Sequence, residues 1–109
     1  MKILFDNKKI RELCENKGKA VQKLGPDCAR KLRIRLSDLE AVSRVTELFA
    51  GNPHPLEGDR LGQFALDLAG GWRLVFCPAN DPCPVKEDGG IDWSQVTIIK
   101  IEYIGDYHD

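Results

Sequence analysis

The stretch 96-VTIIKIEYI-104 decides the fold. It is rich in β-branched side chains, and only Lys100 and Glu102 within it are charged. Such a composition favours extended backbone, and a nearly continuous apolar run is typical of a strand buried within a sheet. We therefore predict that residues 96–104 form a long central strand, on which a small sheet is assembled.

Earlier in the chain, between residues 63 and 77, apolar residues alternate with a period of two, which is the repeat of a strand with two different faces. The segments 63-QFALDL-68 and 72-WRLVFC-77 follow this pattern, and 69-AGG-71 between them suits a tight hairpin turn. In the first strand, one face is predicted to carry Phe64, Leu66 and Leu68. In the second, one face is predicted to carry Trp72, Leu74 and Phe76, and the other Arg73, Val75 and Cys77.

The N-terminal half instead repeats its apolar residues every three or four positions, as amphipathic helices do. After a short strand at 2-KILF-5, one helix is predicted between Ile10 and Leu24, and a second begins at Pro26 after a break at Gly25. The basic residues of the second helix lie mostly off its apolar stripe: Arg30, Lys31, Arg33, Arg35 and Arg44. Such a face is usually only solvated, and the alternative is that Arg30 and Arg33 bind RNA.

The predicted order β-α-α-β-β-β-β indicates an α+β fold, with two N-terminal helices packed on one face of a small antiparallel sheet. The length of 109 residues suits a single domain over residues 1–109. The segment 80-NDPCPVKEDGGIDWSQ-95 is rich in proline, glycine and acidic residues, and is predicted to be a mobile loop between the last two strands.

Charge and cysteine content limit the classes of function. Residues 1–60 carry 13 basic and 9 acidic side chains, whereas residues 61–109 carry 3 and 8, so contact with phosphate should be local. The four cysteines lack the close spacing of a zinc site, and we expect reduced, mostly buried thiols without a metal. No apolar stretch approaches the roughly 18–20 residues that span a bilayer. With only four apolar residues before Asp6, the N-terminus is too short for a signal peptide, and a cytoplasmic protein is expected.

Arg73 is a charged residue within an apolar strand. Burying a guanidinium is costly unless it is paired. Arg73 should therefore either pair with Asp67 across the hairpin or open onto a face that binds anions. The residues around it leave both interpretations open, and the local sequence favours the ion pair.

The chain closes with Asp106, Tyr107 and His108, directly after the predicted central strand. Chain ends usually fray unless the neighbouring structure holds them. A histidine that exchanges a proton near neutral pH and an aromatic ring, held at the edge of a sheet, could form part of a site. The alternative is that Tyr107 and His108 only cover the open end of the core.

Taken in order, 54-HPL-56, 58-GDR-60, Gly62, 72-WR-73 and 106-DYH-108 resemble the RelE/ParE superfamily of toxins, specifically its HigB (host-inhibition-of-growth) branch. The resemblance runs through essentially the whole chain. It implies a RelE-like fold, similar to microbial ribonucleases, and cleavage of messenger RNA in the ribosomal A site without a metal or other cofactor. It also implies a cognate helix-turn-helix antitoxin and either a homodimer or a toxin–antitoxin heterotetramer.

The resemblance assigns roles residue by residue. Arg73 falls where the family contacts the scissile phosphate, and the terminal catalytic trio falls on Asp106, Tyr107 and His108. The segment that matches "HPL-GDR" contains His54, Asp59 and Arg60, of which His54 and Arg60 are candidate RNA contacts. His54 lies between two prolines, however, and is as readily explained as a turn residue.

Glu57 departs from the family pattern, because members commonly carry a lysine at this position. Cleavage by the 2′-hydroxyl of RNA needs a base, an acid for the leaving 5′-oxygen and positive charge on the phosphorane. Glu57 can serve as the base, His108 as the acid or the base, and Arg73 as the charge. Two alternatives from other classes remain: a non-enzymatic toxin that binds a protein such as gyrase, and an interaction module with weakened catalysis.

Overall fold

The computed structural model describes residues 1–106 and shows an α+β fold, which confirms the predicted class. Its five strands form one sheet in the order β1-β5-β4-β3-β2. The sheet is mixed rather than purely antiparallel, because β1 runs parallel to β5. The elements are β1 (Lys2–Phe5), α1 (Lys8–Glu15), α2 (Lys17–Leu24), α3 (Pro26–Ala41), β2 (His54–Pro55), β3 (Phe64–Asp67), β4 (Arg73–Pro78) and β5 (Ile98–Gly105).

The N-terminal half forms three helices where two were predicted, because the first is interrupted at Asn16. The backbone of Asn16 is extended, and its side chain accepts a hydrogen bond from the Lys19 N–H at 3.0 Å. Asparagine is a strong N-cap residue, so it ends α1 and begins α2 within an otherwise helical apolar pattern. The predicted break before α3 is confirmed, with Gly25 at a φ of 84° and Pro26 in the first turn.

The main core lies between the helices and one face of the sheet. Its fully buried side chains include Leu32 and Leu39 of α3, Phe76 of β4, and Ile99 and Ile101 of β5. The prediction that 96–104 forms an interior strand is confirmed, because β5 pairs with β1 on one side and with β4 on the other. The predicted faces of the β3–β4 hairpin are also confirmed, since Phe64, Leu66, Leu74 and Phe76 join this core.

A β-bulge in β5 changes which residues reach the core. Tyr103 pairs with Val75 and Ile101 pairs with Phe76, so Glu102 is the extra residue in the ladder. Strict alternation would place Tyr103 on the same face as Ile101. The bulge instead sends Ile104 to the main core and Tyr103 to the opposite face of the sheet.

The segment 80–95, predicted as a loop between the last two strands, contains turns, an isolated bridge between Val85 and Ile91, and a 3₁₀ turn at Trp93–Gln95. Lys86 N–H donates to the Gly90 carbonyl at 2.7 Å, and the ring of Trp93 lies 4.9 Å from that of Phe64. Asn80 joins the segment to the start of β5, because its Oδ1 accepts the N–H groups of Thr97 and Ile98 at 3.1 Å. The polar residues of this segment supply turn residues and side-chain caps.

Arg35 is buried, although the sequence predicted it on the basic outer face of its helix. Its side chain crosses to the end of β3, where Nε donates to the Asp67 carbonyl at 3.1 Å and Nη1 contacts Asp38 Oδ2 at 3.3 Å. The Asp67 N–H in turn donates to the Gly51 carbonyl at 2.7 Å. Arg35 therefore fixes the end of the strand that carries Asp67.

Gly51 is expected to tolerate no side chain. Its φ is +84°, and an added Cβ would lie 2.4 Å from Arg35 Nε. Gly51→Ala should lower the free energy of unfolding by about 2–4 kcal/mol, from backbone strain plus displacement of Arg35. Urea denaturation measures this loss.

Gly25→Ala is the matched control, because Gly25 has the same φ of +84° and no atom within 4 Å of its added Cβ. It should cost only the backbone strain, about 1–3 kcal/mol, because a φ of 84° with a ψ of 162° is a conformation adopted essentially by glycine alone. Equal losses in the two variants would contradict a close approach of Arg35 to Gly51.

Candidate functional site

The sheet has a second face, opposite the helices, which we call the open face. Its side chains come from β3, β4 and β5 and from the segment between β2 and β3. A small apolar cluster at its centre is separate from the main core and contains Leu56, Ala65, Val75 and Tyr103. Around this cluster lie most of the polar side chains that the sequence marked as candidates.

Strand register arranges the open face in rows, because residues directly opposite one another in neighbouring strands point to the same side. One row runs across His54, Ala65, Val75 and Tyr103. The next row, towards the β3–β4 turn, runs across Asp67, Arg73 and Gly105. Arg73 is therefore next to the last residue of β5 and one row away from Tyr103.

Arg73 and Asp67 form the ion pair that was one of the two predictions for Arg73. The guanidinium Nε lies 2.8 Å from Asp67 Oδ1, and the two atoms form an ion pair whose geometry is not that of a hydrogen bond. Nη1 of Arg73 donates to the Trp72 carbonyl at 3.2 Å. The Arg73 side chain is 18% exposed and that of Asp67 is 34% exposed. Because a guanidinium has five N–H donors, this pairing is compatible with binding a phosphate at the surface.

Tyr103 is the aromatic residue of the open face, and the sequence did not single it out. The Arg60 guanidinium carbon lies 4.6 Å from the centre of the Tyr103 ring, a cation–π distance. On Gly105, an added Cβ would lie 2.6 Å from the Tyr103 hydroxyl oxygen. The phenol therefore lies against Gly105, which is the residue opposite Arg73.

A polar chain holds Arg60 in place. Its Nη1 donates to Gln63 Oε1 at 3.1 Å, and Gln63 Nε2 donates to Glu102 Oε1 at 3.0 Å. Burial and the neighbouring Glu102 carboxylate raise the pKa of the Cys77 thiol on this face to about 12. Cys77 thus stays protonated at neutral pH, which argues against a role as a nucleophile.

The segment that contains Glu57 borders the open face. Residues 58–60 form one 3₁₀ turn, in which Arg60 N–H donates to the Glu57 carbonyl at 3.2 Å. Glu57 and Asp59 are exposed and line a shallow depression together with Leu56 and Arg60. His54 is half-buried in β2, and its Nδ1 lies 2.7 Å from the Asn52 carbonyl oxygen.

Asp106 lies at the same end of the sheet as Arg73. Its Oδ2 is 3.5 Å from the position that a Cβ on Gly71 would take, so it approaches the β3–β4 turn. Tyr107 and His108, which complete the predicted terminal trio, lie outside the described residues.

Arg30 and Arg33 do not join the open face. Both are exposed on α3, whereas the buried residues of that helix pack on the other side of the sheet. They form a surface separate from Arg73 and Arg60.

Cysteines and charged groups elsewhere show no second centre of chemistry. Cys28 is buried and Cys14 partly so, and burial raises the pKa of the Cys14 thiol to about 12. Cys83 is exposed. Among residues 1–106, no group of three or more His, Cys, Asp or Glu side chains is arranged to hold a metal ion. Over the same range, no helix has the length and apolar character needed to cross a membrane.

Comparison with known proteins identifies the fold. No family model and no curated protein matches the sequence. Among solved structures, the YoeB/ParE toxin from Agrobacterium tumefaciens superposes with a TM-score of 0.62 at 12% identity, covering 99% of this chain and 100% of the other. The chain has the fold of these toxins.

Two structures from Staphylococcus aureus support the same conclusion. The YoeB-YefM complex superposes with a TM-score of 0.58 and the YoeB dimer with 0.56, each at 17% identity. In both, the match covers 100% of this chain and 98% of the other. The predicted RelE/ParE-like architecture is confirmed at the level of the fold, while the HigB branch is not singled out by these neighbours.

Proposed function

We propose that this chain is the toxin of a type II toxin–antitoxin system and cleaves messenger RNA on the ribosome. The observation that carries the proposal is the position of Arg73 on the open face, next to the end of β5, within a fold shared with YoeB toxins. Arg60 adds a second guanidinium on the same face. The HigB branch, implied by the resemblance of the sequence, is the finer form of the proposal.

The proposed chemistry needs only the RNA and side chains of this chain. The 2′-oxygen attacks the adjacent phosphorus while a base takes its proton. The bond from phosphorus to the 5′-oxygen breaks as an acid protonates that oxygen, leaving a 2′,3′-cyclic phosphate and a free 5′-hydroxyl. We assign Arg73 to the phosphate, Glu57 to the base and His108 to the acid, with Asp106 and Tyr107 orienting the histidine or the substrate.

The proposal is tested with purified ribosomes programmed with a defined message, with and without the protein. Cleavage within the codon in the A site, giving a 5′-hydroxyl end, is the expected result. Cleavage of free message at the same rate would contradict dependence on the ribosome. Intact message under all conditions would favour the alternatives, a toxin that binds a protein such as gyrase or an interaction module with weakened catalysis.

Glu57→Gln is expected to lower the single-turnover cleavage rate by more than tenfold, because glutamine keeps the shape but cannot take a proton. A reaction that uses one general base and one general acid has a bell-shaped pH profile, and the variant that lacks the base should lose its rising limb.

Asp59→Asn is the matched control, since Asp59 is an exposed acid two residues away on the same turn. It should keep both the rate and the bell shape. A loss of tenfold or less in Glu57→Gln would remove the glutamate from the base role. A gain in activity in Glu57→Lys would identify this chain as a toxin weakened at one position.

We also propose a helix-turn-helix antitoxin as the partner. One solved neighbour is a complex of YoeB with YefM and another is a YoeB dimer, so both a toxin–antitoxin assembly and a homodimer have precedents in this fold. Co-expression with the product of an adjacent gene, followed by measurement of molecular mass, tests for the antitoxin. A toxin that acts on ribosomes would work in the cytoplasm, which is the proposed location.

A further inference from the structure

We infer that Arg60, stacked on Tyr103, forms a platform for an unpaired RNA base beside the phosphate bound at Arg73. The inference rests on the proposed function and adds to it a subsite for one base near the cleaved bond. Three independent features of the open face support it.

The first feature is the β-bulge at Glu102. It moves Tyr103 out of the core pattern and onto the open face, where its ring packs on Ala65, Val75 and Leu56. The apolar cluster beneath the Tyr103 ring already restrains the ring. Little side-chain freedom is therefore lost when a base stacks beside it. The bulge thus places an ordered ring one row away from Arg73.

The second feature is the close contact of Tyr103 with Gly105. Any Cβ at position 105 would lie within 2.8 Å of both Oη and Cζ of the tyrosine. Gly105 does not have a positive φ, which is a common reason for a glycine at a given position. Instead, the absence of a side chain at Gly105 leaves the space that the Tyr103 ring occupies. The ring is thereby held towards the end of β4 that carries Arg73.

The third feature is the orientation of Arg60. Its guanidinium lies 4.6 Å from the Tyr103 ring centre, and its Nη1 is bonded to Gln63, which is itself bonded to Glu102. Arg60 is half-buried, so part of its side chain remains at the surface. Guanidinium planes and aromatic rings are the groups on which proteins stack unpaired RNA bases.

The test measures dependence on a base rather than activity alone. Ribosomes carry a message that is either intact or has an abasic nucleotide at one position around the cleaved bond, and the single-turnover rates are compared. In the parent, removing the stacked base should lower the rate by roughly 5- to 150-fold, since loss of one stacked base has this effect on binding. The ratio of the rate on intact message to the rate on abasic message measures how much base stacking contributes to cleavage.

Two variants remove the platform by different routes. Arg60→Lys keeps the charge but loses the planar group, and Gly105→Ala pushes Tyr103 aside. Both should bring the ratio close to one. Arg11→Lys is the matched control, because Arg11 lies 5.3 Å over the Phe5 ring, a second cation–π pair, and its replacement should leave the ratio unchanged. Circular dichroism shows whether Gly105→Ala is folded. If it is not, Arg60→Lys decides the outcome, because it changes only a partly exposed side chain and keeps its charge.

The possible outcomes separate the inference from the function. If the parent protein does not cleave the message, both the proposed function and the inference are wrong. If the parent cleaves it but no abasic position matters, or if the variants keep the parental ratio, the platform is wrong and the function stands.

Discussion

Arg73→Ala is expected to lower the rate of message cleavage on the ribosome by about 10²–10³-fold, the usual effect of removing one positioned donor from a developing negative charge. The reason is the place of Arg73 at the start of β4, opposite Gly105 and beside the start of the terminal segment. Single-turnover kinetics with saturating ribosomes measures the loss. Circular dichroism and thermal melting establish that the variant is folded.

The stability of Arg73→Ala distinguishes two roles of the same residue. The variant removes the partner of Asp67 Oδ1, an oxygen that is itself buried although the Asp67 side chain is 34% exposed, so the loss is that of a partly buried ion pair. We expect a loss of about 1–2 kcal/mol in the free energy of unfolding. Unfolding of the variant would instead show that the ion pair is needed mainly for the fold.

Asp67→Asn provides the matched control for Arg73→Ala. It removes the charge of the partner, keeps the side-chain shape and leaves the guanidinium in place. If Arg73 acts on the phosphate, Asp67→Asn should change the rate by less than Arg73→Ala does, while both variants lose similar stability. Equal losses of activity in the two variants, or a parental rate in Arg73→Ala, would contradict the assignment to the phosphate.

His108→Ala is expected to reduce cleavage by about 10²–10⁴-fold, the range for loss of a general acid or base. Deletion of residues 107–109 should have at least this effect. Because β5 ends at Gly105, before the deleted residues, we expect the melting temperature to fall only slightly. Cleavage assays and thermal melting on the same samples separate the two effects.

His54 is the matched control for His108, since the chain has two histidines. Nδ1 of His54 lies 2.7 Å from the Asn52 carbonyl oxygen at the start of β2, so His54→Asn should cost less than tenfold in rate if its role is to shape the entry to that strand or to contact RNA weakly. Unchanged cleavage after the deletion would exclude Tyr107 and His108 from catalysis. A large fall in melting temperature would show that they mainly cover the core.

The open face shows how this fold could combine stability with function. Its centre is apolar, whereas Arg73 and Arg60 lie where they are only partly buried. Arg73 is held by the carboxylate of Asp67 in β3, and Arg60 by the side-chain amide of Gln63 just before β3. A charged group held before the substrate arrives needs little rearrangement in the transition state, which is why such preorganisation is effective.

Local patterns in the sequence predicted β1, β3, β4 and β5 and the two faces of the β3–β4 hairpin, and they favoured the Asp67–Arg73 pair. A period of two assigns Leu74 and Phe76 to one side and Arg73 to the other, and a tight turn at residues 69–71 sets which residues of the hairpin are opposite each other. Both effects act over a few residues, so they can be read without knowing the rest of the fold. The α+β class follows from the same patterns.

Only the tertiary structure decided the position of Tyr103, the burial of Arg35 and the pairing of β1 with β5. Each depends on groups far apart in the chain: the bulge at Glu102 exists only against β4, and Arg35 meets the Asp67 carbonyl 32 residues away. A bulge reverses the faces of all later residues in its strand, so a strict period of two would place Tyr103 on the wrong side. The open face is therefore a product of register between strands, which no local pattern of residues specifies.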